Sequence, residues 1–152
     1  EMLSIKAFKL NKQKEYDRAI LLYREAIEIE PDNPKLFFFL SDCYFEINNL
    51  EQAILILDTA ILLDSNYAPF YNNRGLYYCN LNKNKKGMID LKKALQLDSS
   101  SYTIYLNLAL AYYFDNNLVE ACDAFKNSKK LGLNLKQITD QVKLMKLDKI
   151  CN

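Results

Sequence analysis

The sequence predicts an all-α protein built from four helical hairpins and a closing C-terminal helix. Three observations support this fold class. Small and large side chains recur with a period of about 34 residues through most of the chain. Within each period, apolar residues fall at helical spacing. Only three Gly and three Pro occur in the whole sequence, whereas an all-β fold with many tight turns would need more of both.

The repeat is clearest in two columns of small side chains and one column of large ones. One constant shift along the chain aligns the small residues Ala7, Ser41, Gly75 and Ala109, and then Ala19, Ala53, Gly87 and Ala121. The same shift aligns the large residues Tyr23, Leu57, Leu91 and Phe125. Two antiparallel helices approach closely only where a side chain is nearly missing, and a large side chain of the partner fills the space beside it. These columns predict tightly packed helix pairs.

One period shows how each copy divides into two helices. Phe37, Leu40 and Tyr44 follow the spacing of one helix face, and the same spacing continues from Leu50 to Ile61. A hairpin turn is predicted at Asn48-Asn49, because asparagine tolerates the left-handed backbone conformation. Equivalent turns are predicted at Asn82-Lys83-Asn84 and Asn116-Asn117. Junctions that stop one helix and cap the next are predicted at Glu30 to Pro34, Asp64-Ser65 and Asp98-Ser99.

This pattern resembles the tetratricopeptide repeat family, whose unit is a helix pair of about 34 residues. The resemblance covers about residues 2–134. It implies a right-handed α-solenoid in a single domain spanning 1–152, with repeats at about 1–33, 34–67, 68–101 and 102–134. Lys6 and Arg74 stand where the family commonly has Leu, and Gly87 stands where it has Ala. We expect each departure to loosen local packing by about 1 kcal/mol.

A last helix is predicted over about residues 135–149, after Gly132 ends the preceding one. Its apolar residues on one face are Leu135, Ile138, Val142 and Met145, with Ile150 at the end. The end of a solenoid exposes an apolar face, which a terminal helix with a polar outer side covers. The alternative is a basic amphipathic segment, with lysines at 136, 143, 146 and 149, that lies on a membrane or binds a calmodulin-like partner.

The composition excludes most catalytic and metal chemistry. Histidine is absent, which removes His-based triads and His-ligated metals. The four cysteines, at 43, 79, 122 and 151, form no C-x-x-C pair. We interpret them as free, buried thiols, which predicts a reducing, cytoplasmic setting. The sequence thus predicts no catalytic residue, no metal and no cofactor.

The charge distribution argues against nucleic acid and leaves one basic segment to explain. Twenty Lys and Arg stand against nineteen Asp and Glu, so the concentrated positive charge that phosphate contacts need is missing. No apolar run is long enough to span a membrane. Residues 34–67 carry five acids and one base, whereas residues 68–101 carry six bases and two acids. The lysines between 83 and 93 are expected to be a solvated face, or else a contact for an acidic partner.

The family resemblance places a concave groove along the first helices of the repeats. The predicted groove residues are Phe8, Phe38, Asp42, Phe45, Asn72, Asn73, Leu76, Asn107, Leu110 and Tyr113. Phe39, Leu106 and Phe114 extend this apolar strip, which is typical of an interaction site, although each residue could instead pack between first helices. Asn73 and Asn107 share one repeat position and resemble the asparagine ladder with which some family members hold extended peptides. The alternative is that asparagine is simply abundant in this chain.

We therefore predict a non-catalytic protein–protein interaction scaffold that binds a protein or an extended peptide in the groove. The alternative is self-association, with the apolar groove buried in a homo-oligomer or an adjoining repeat array. Some family members bind a C-terminal carboxylate with a Lys/Asn/Asn/Lys/Arg clamp. Its positions here hold Phe38, Asp42, Asn73, Thr103 and Asn107, with one match and no cation, so this binding mode is not expected.

Overall fold

The computed structural model describes residues 2–134 and 141–151 of the chain. All regular secondary structure in these residues is helical. The helices are α1 (Leu3–Lys12), α2 (Tyr16–Ile29), α3 (Pro34–Glu46), α4 (Leu50–Leu63), α5 (Ala68–Asn80), α6 (Asn84–Leu97), α7 (Tyr102–Phe114), α8 (Leu118–Lys130) and α9 (Gln141–Ile150). From α3 onward the first helices begin at residues 34, 68 and 102, which is the predicted period. The prediction of an all-α chain of helical hairpins is confirmed.

The chain divides into two compact units, Glu1–Phe70 and Tyr71–Asn152. In the first unit, α2 packs against α1 and α3, and α3 packs against α4. In the second unit, α7 packs against α6 and α8, and α9 packs against α8. The small-residue columns lie inside these contacts, since Ala7, Ser41, Ala53, Ala109 and Ala121 are fully buried. The sequence pattern therefore identified the helix-crossing points.

The hairpin turns use the left-handed backbone that the asparagines predicted. Asn48, Asn82 and Asn116 have φ values of 60°, 58° and 60°. In each turn the next N–H donates to the carbonyl five residues earlier, at 2.8 to 2.9 Å, which closes the end of the first helix. The first hairpin uses Lys14 at the same position, with φ 63°. Because lysine does not favour the left-handed conformation, this turn could not be predicted from the residue type.

The junctions between hairpins end the helices as predicted, and their side chains form two kinds of hydrogen bond. The side chain of Asn33 accepts a hydrogen bond from the Lys35 N–H inside the first turn of α3, which is a true cap. Asp64 and Asp98 instead accept from the N–H groups of Asn66 and Ser100, each at 2.9 Å, before the next helix begins. These carboxylates therefore stabilise turns within the loop.

Glycine in the third hairpin permits a close helix approach rather than loosening the packing. A Cβ built on Gly87 would lie 2.7 Å from the carbonyl oxygen of Gly75 and 2.4 Å from the Cys79 sulfur. A Cβ on Gly75 would lie 2.8 Å from Leu91. Such distances are far below van der Waals contact, so the prediction that Gly87 is a packing defect was wrong.

Arg74 also does not loosen its hairpin. Its guanidinium donates to both carboxylate oxygens of Asp90, at 2.7 and 2.8 Å. The Asp90 side chain is only 8% exposed and that of Arg74 19%. The arginine therefore joins α5 to α6 through a bidentate ion pair, which replaces the apolar contact expected from leucine.

The described part of the C-terminal helix spans Gln141–Ile150, and it buries one residue that the predicted face did not include. Of the predicted face, Leu135 and Ile138 lie outside the described residues, as do the side chains of Val142 and Met145. Leu147, which the predicted face left out, is fully buried, whereas Ile150 is 49% exposed. A salt bridge of 2.9 Å between Lys129 and Asp148 helps hold α9 on α8.

Two of the four cysteines form a disulfide, Cys122–Cys151, so the prediction that all are free thiols was wrong. The cause is tertiary, because the packing of α9 brings residue 151 next to α8. Cys43 and Cys79 are free, as predicted. The prediction of a reducing compartment rested on four free cysteines, and only these two are free.

Candidate interaction site

The predicted groove residues all lie on the first helices of hairpins. The first unit contains Phe8 on α1, and Phe38, Asp42 and Phe45 on α3. The second unit contains Asn72, Asn73 and Leu76 on α5, and Asn107, Leu110 and Tyr113 on α7. Phe8 is exposed, and the other nine are half-buried. Half-burial leaves part of each side chain accessible to a partner.

In the first unit Phe38 belongs to an aromatic cluster. Its ring centroid lies 5.5 Å from those of Phe39 and Phe70 and 6.4 Å from that of Tyr67. Phe70 is 1% exposed, so this cluster reaches the core of the unit. Phe38 therefore contributes packing between helices, which was the alternative interpretation of the apolar strip.

The other aromatic residue of the first unit borders an open cavity. Phe8 is 40% exposed, and its ring meets Phe39 edge to face at 5.6 Å. The Lys12 ammonium lies 5.1 Å from the centre of the Phe8 ring. The cavity has a volume of about 390 Å³ and is lined by Ser4, Ile5, Phe8, Asn33, Lys35, Leu36 and Phe39. Phe38, Asp42 and Phe45 are not part of its lining.

The second unit brings three predicted residues together around a cavity between the C-terminal half of α5 and α7. Its volume is about 240 Å³, and its lining is Leu76, Cys79, Asn80, Asn82, Asn107, Leu110, Ala111 and Phe114. Leu76, Asn107 and Leu110 were predicted site residues. Asn72, Asn73 and Tyr113 do not line it. We call this the α5–α7 cavity.

The three predicted asparagines bind one another. The Asn107 side-chain amide donates to Asn72 at 3.0 Å, and the Asn72 amide donates to Asn73 at 3.2 Å. The side-chain oxygen of Asn107 accepts no hydrogen bond from any residue that the structure describes. Because Asn107 also lines the α5–α7 cavity, this oxygen is an acceptor beside an apolar surface.

One residue of the apolar strip packs as core, the alternative interpretation, and part of the cavity lining was not predicted. Leu106 is only 8% exposed, so it packs inside the second unit. Phe114 is 45% exposed and lies 5.5 Å from the Tyr113 ring, as an interaction surface requires. Asn82 and Ala111 line the cavity but were not predicted. Asn82 lies in the hairpin turn. Its sequence predicted the turn but not a contact with the cavity.

Both free thiols have raised pKa values. Burial raises the pKa of Cys79 to about 11, and burial together with the nearby Asp42 carboxylate raises the pKa of Cys43 to about 12. The thiolate is the reactive form, and these shifts suppress it. Within the described part of the chain, no three His, Cys, Asp or Glu side chains gather as a metal site.

No helix in residues 2–134 or 141–151 combines the length and apolar character that crossing a bilayer requires.

Paired helices that recur with a constant period, with small side chains at their crossings, define the class of helical-repeat proteins. Within this class, the chain belongs to the tetratricopeptide repeat family. Two sequence models of the family, both described as Tetratricopeptide repeat, match residues 10–72 and 68–101. The family resemblance of the sequence is therefore confirmed. No curated protein matches the chain in sequence.

Solved structures are similar over most of the chain. A MamA crystal structure superposes with a TM-score of 0.79 at 22% identity, covering 85% of this chain and 75% of that one. MamA 41-end from Desulfovibrio magneticus RS-1 gives 0.81 at 14% identity, covering 97% and 86%. The first TPR of Spaghetti (RPAP3), bound to the HSP90 peptide SRMEEVD, gives 0.71 at 26% identity, covering 77% and 90%. The MamA likenesses concern the fold alone. Together with the family match, the comparisons support a protein-interaction scaffold.

Proposed function

We propose that this chain binds an extended segment of another protein along its first helices α5 and α7. In this proposal the α5–α7 cavity takes one apolar side chain of the segment, and the Asn107 side-chain oxygen accepts a backbone N–H beside it. The function is non-catalytic and needs no metal or cofactor. The observation that carries the proposal is an amide acceptor, open to a partner, at the edge of an apolar cavity.

The size of the cavity fits a side chain better than a whole small molecule. Its volume of about 240 Å³ is below the roughly 300–1,000 Å³ of common ligand pockets. Leu76, Leu110 and Phe114 offer apolar contact, and Asn80 and Asn107 offer amides. Extended peptides are recognised in this way, since amides bind the backbone and pockets select side chains.

The asparagine chain supports the same mode of binding. Asn72 and Asn107 are already joined, so the amide of Asn107 is held in one orientation before a partner arrives. Side chains that are ordered in advance lose less entropy on binding. Asn73 would extend the row, as the ladder hypothesis requires.

The RPAP3 neighbour holds an HSP90 peptide in the same fold, which supports a peptide as the ligand. We do not expect this chain to bind that HSP90 peptide. The positions of the family's carboxylate clamp include Phe38 and Thr103, and none of them holds a lysine or arginine. We therefore expect recognition of an internal segment rather than of a charged C-terminus.

Selection from a random peptide library displayed on phage, with the immobilised chain as bait, tests the proposal. Peptides that bind should lose roughly 1–3 kcal/mol of affinity for the Asn73→Ala/Asn107→Ala variant, because paired hydrogen bonds are removed. Asn127→Ala on α8 is the matched control and should leave the affinity unchanged. Equal binding by wild type and the double variant, with helix content intact, would refute the asparagine ladder.

Self-association through exposed aromatic residues of the first helices is the second candidate function. Phe8 and Phe114 favour it, since both are large, apolar and at least 40% exposed. Sedimentation velocity over a concentration series distinguishes the two candidates. Association that disappears in a Phe8→Ser/Phe114→Ser variant would support this second function. Association that persists there would exclude it.

A further inference from the structure

A row of acidic and apolar residues runs along the exposed side of α4. Its members are spaced so that they share one helix face, and all four are exposed: Glu51, Leu55, Asp58 and Leu62. Leu55 is 60% exposed and Leu62 85%. Neither leucine contributes to the core of the first unit. We call this row the acidic stripe.

The equivalent row on α6, one repeat later, carries the opposite charge. Its four exposed members are Lys85, Ile89, Lys92 and Gln96, and Ile89 is 68% exposed. The ammonium groups of Lys86 and Lys92 lie over the rings of Tyr78 and Tyr112, at 5.7 and 5.4 Å from the ring centres. These contacts hold positive charge at the surface of α6. We call this row the basic stripe.

The other two second helices do not share the pattern. The same repeat positions on α2 hold one base and two acids around Leu21, and on α8 they hold one acid and two bases after Val119. Of these four helices, only α4 and α6 combine charges of a single sign with a highly exposed branched aliphatic residue. In both stripes the large aliphatic side chain lies between charges of one sign, so a partner of opposite charge would also cover apolar surface.

We propose that the acidic stripe of one copy of this chain docks against the basic stripe of a second copy. Leu55 of the first copy packs on Ile89 of the second. Glu51 and Asp58, which lie one helical turn to either side of Leu55, then face the two lysines of the basic stripe. This pairing forms with the helices parallel or antiparallel, because both stripes have a charged residue on each side of the aliphatic one. Charge complementarity selects the second copy as the partner, and the aliphatic pair buries apolar surface.

The two stripes are different surfaces, one on α4 and one on α6. A contact between two different surfaces of the same chain is heterologous, and it can add further copies in a row. Mass should therefore continue to rise with concentration beyond that of a dimer.

The contact between the stripes is small, and we expect it to be weak. One helix face against another buries less than the roughly 1,600 Å² of a standard stable interface, so the association is weak. Its charges are exposed, so it depends on ionic strength. At about 1 M salt, where the Debye length is about 3 Å, the attraction should largely disappear.

A charge-reversal experiment by sedimentation velocity tests the proposal on the full chain. Wild type should associate with rising concentration at low salt. Glu51→Lys/Asp58→Lys alone and Lys85→Glu/Lys92→Glu alone should each self-associate about tenfold more weakly, because like charges then face each other. An equimolar mixture of the two variants should associate again, since each supplies the intact stripe that the other lacks.

A second pair of variants controls for the change in net charge. Glu25→Lys/Glu28→Lys on α2 and Lys126→Glu/Lys130→Glu on α8 alter net charge by the same amounts, at exposed sites on helices that carry neither stripe. Each should associate as wild type does, and mixing them should add nothing. Restored association in the stripe mixture alone would therefore come from the stripes.

The apolar half of the contact has its own variants. Leu55→Ser and Ile89→Ser should each weaken association without altering helix content by circular dichroism. Phe8→Ser/Phe114→Ser should leave it unchanged, which separates this contact from the first-helix aromatics. A wild type that stays monomeric at low salt, or a stripe mixture that fails to associate, would overturn the proposal.

Discussion

Tyr23 is fully buried, yet no described residue offers a hydrogen bond to its hydroxyl. The other residues in its repeat column are Leu57, Leu91 and Phe125, which have no polar group to bury. Burial raises the pKa of Tyr23, so the phenol remains neutral at any physiological pH. An unpartnered buried hydroxyl costs free energy that a phenylalanine would not.

Tyr23→Phe should therefore raise the free energy of unfolding by about 1 kcal/mol. The ring stacks on Phe39 at 6.1 Å and loses no contact in the substitution. Urea denaturation measures the change. The reverse substitution at the equivalent buried site, Phe125→Tyr, should lower stability and serves as the control. A less stable Tyr23→Phe protein would show that the hydroxyl has a partner after all.

Lys14 has a left-handed backbone at a position where the later hairpins have asparagine. Lys14→Asn should raise stability by roughly 0.5–1 kcal/mol, because asparagine adopts this conformation at lower cost. Asn48→Lys should lower it by a similar amount. Both side chains are exposed, so packing does not obscure the comparison. Equal stability of all three proteins in urea would contradict the backbone argument.

At the scale of single elements, helix crossings in the third hairpin depend on missing side chains. Gly87→Ala should gain about 1 kcal/mol of helix propensity but lose more, because its Cβ would meet the Gly75 carbonyl oxygen at 2.7 Å. We expect a lower melting temperature. Ala53→Gly, at the same position in the preceding repeat, should cost about 1 kcal/mol through propensity and cavity effects. A more stable Gly87→Ala protein would show that α5 and α6 separate freely.

The disulfide fixes the position of α9. Reduction, or the Cys122→Ser substitution, should destabilise the protein by about 2–4 kcal/mol, since a closed loop restricts the unfolded chain. Thermal melts with and without dithiothreitol measure this. The reductant should leave the Cys122→Ser protein unchanged, which controls for Cys43 and Cys79. If the reductant destabilised that variant by the same amount, the stabilisation would not come from the Cys122–Cys151 disulfide.

For the molecule as a whole, the sequence contained most of the fold and less of the site. A constant repeat period is a local pattern, so it located the hairpins and their crossings before any coordinates. The predicted groove residues lie on first helices, as the repeat period indicated. The contacts among their side chains depend on tertiary packing, which the repeat period does not specify. The burial of Leu106, the packing of Phe38 and the hydrogen bond between Asn72 and Asn107 each depend on neighbouring helices.

The departures from the family pattern followed the same rule. Arg74 and Gly87 looked like defects because their partners, Asp90 and Gly75, are distant in sequence. The disulfide was missed because 29 residues separate its cysteines and α9 decides whether they meet. Compensating pairs of this kind are visible only when both members are placed in space.

Binding of an extended peptide to the first-helix surface of the second unit can be observed residue by residue. The most direct measurement is a ¹⁵N NMR titration of the chain with a peptide obtained by library selection. We expect shift changes concentrated at Asn73, Leu76, Asn107 and Leu110. Changes confined to the second helices α6 and α8, with those four amides unmoved, would contradict this expectation.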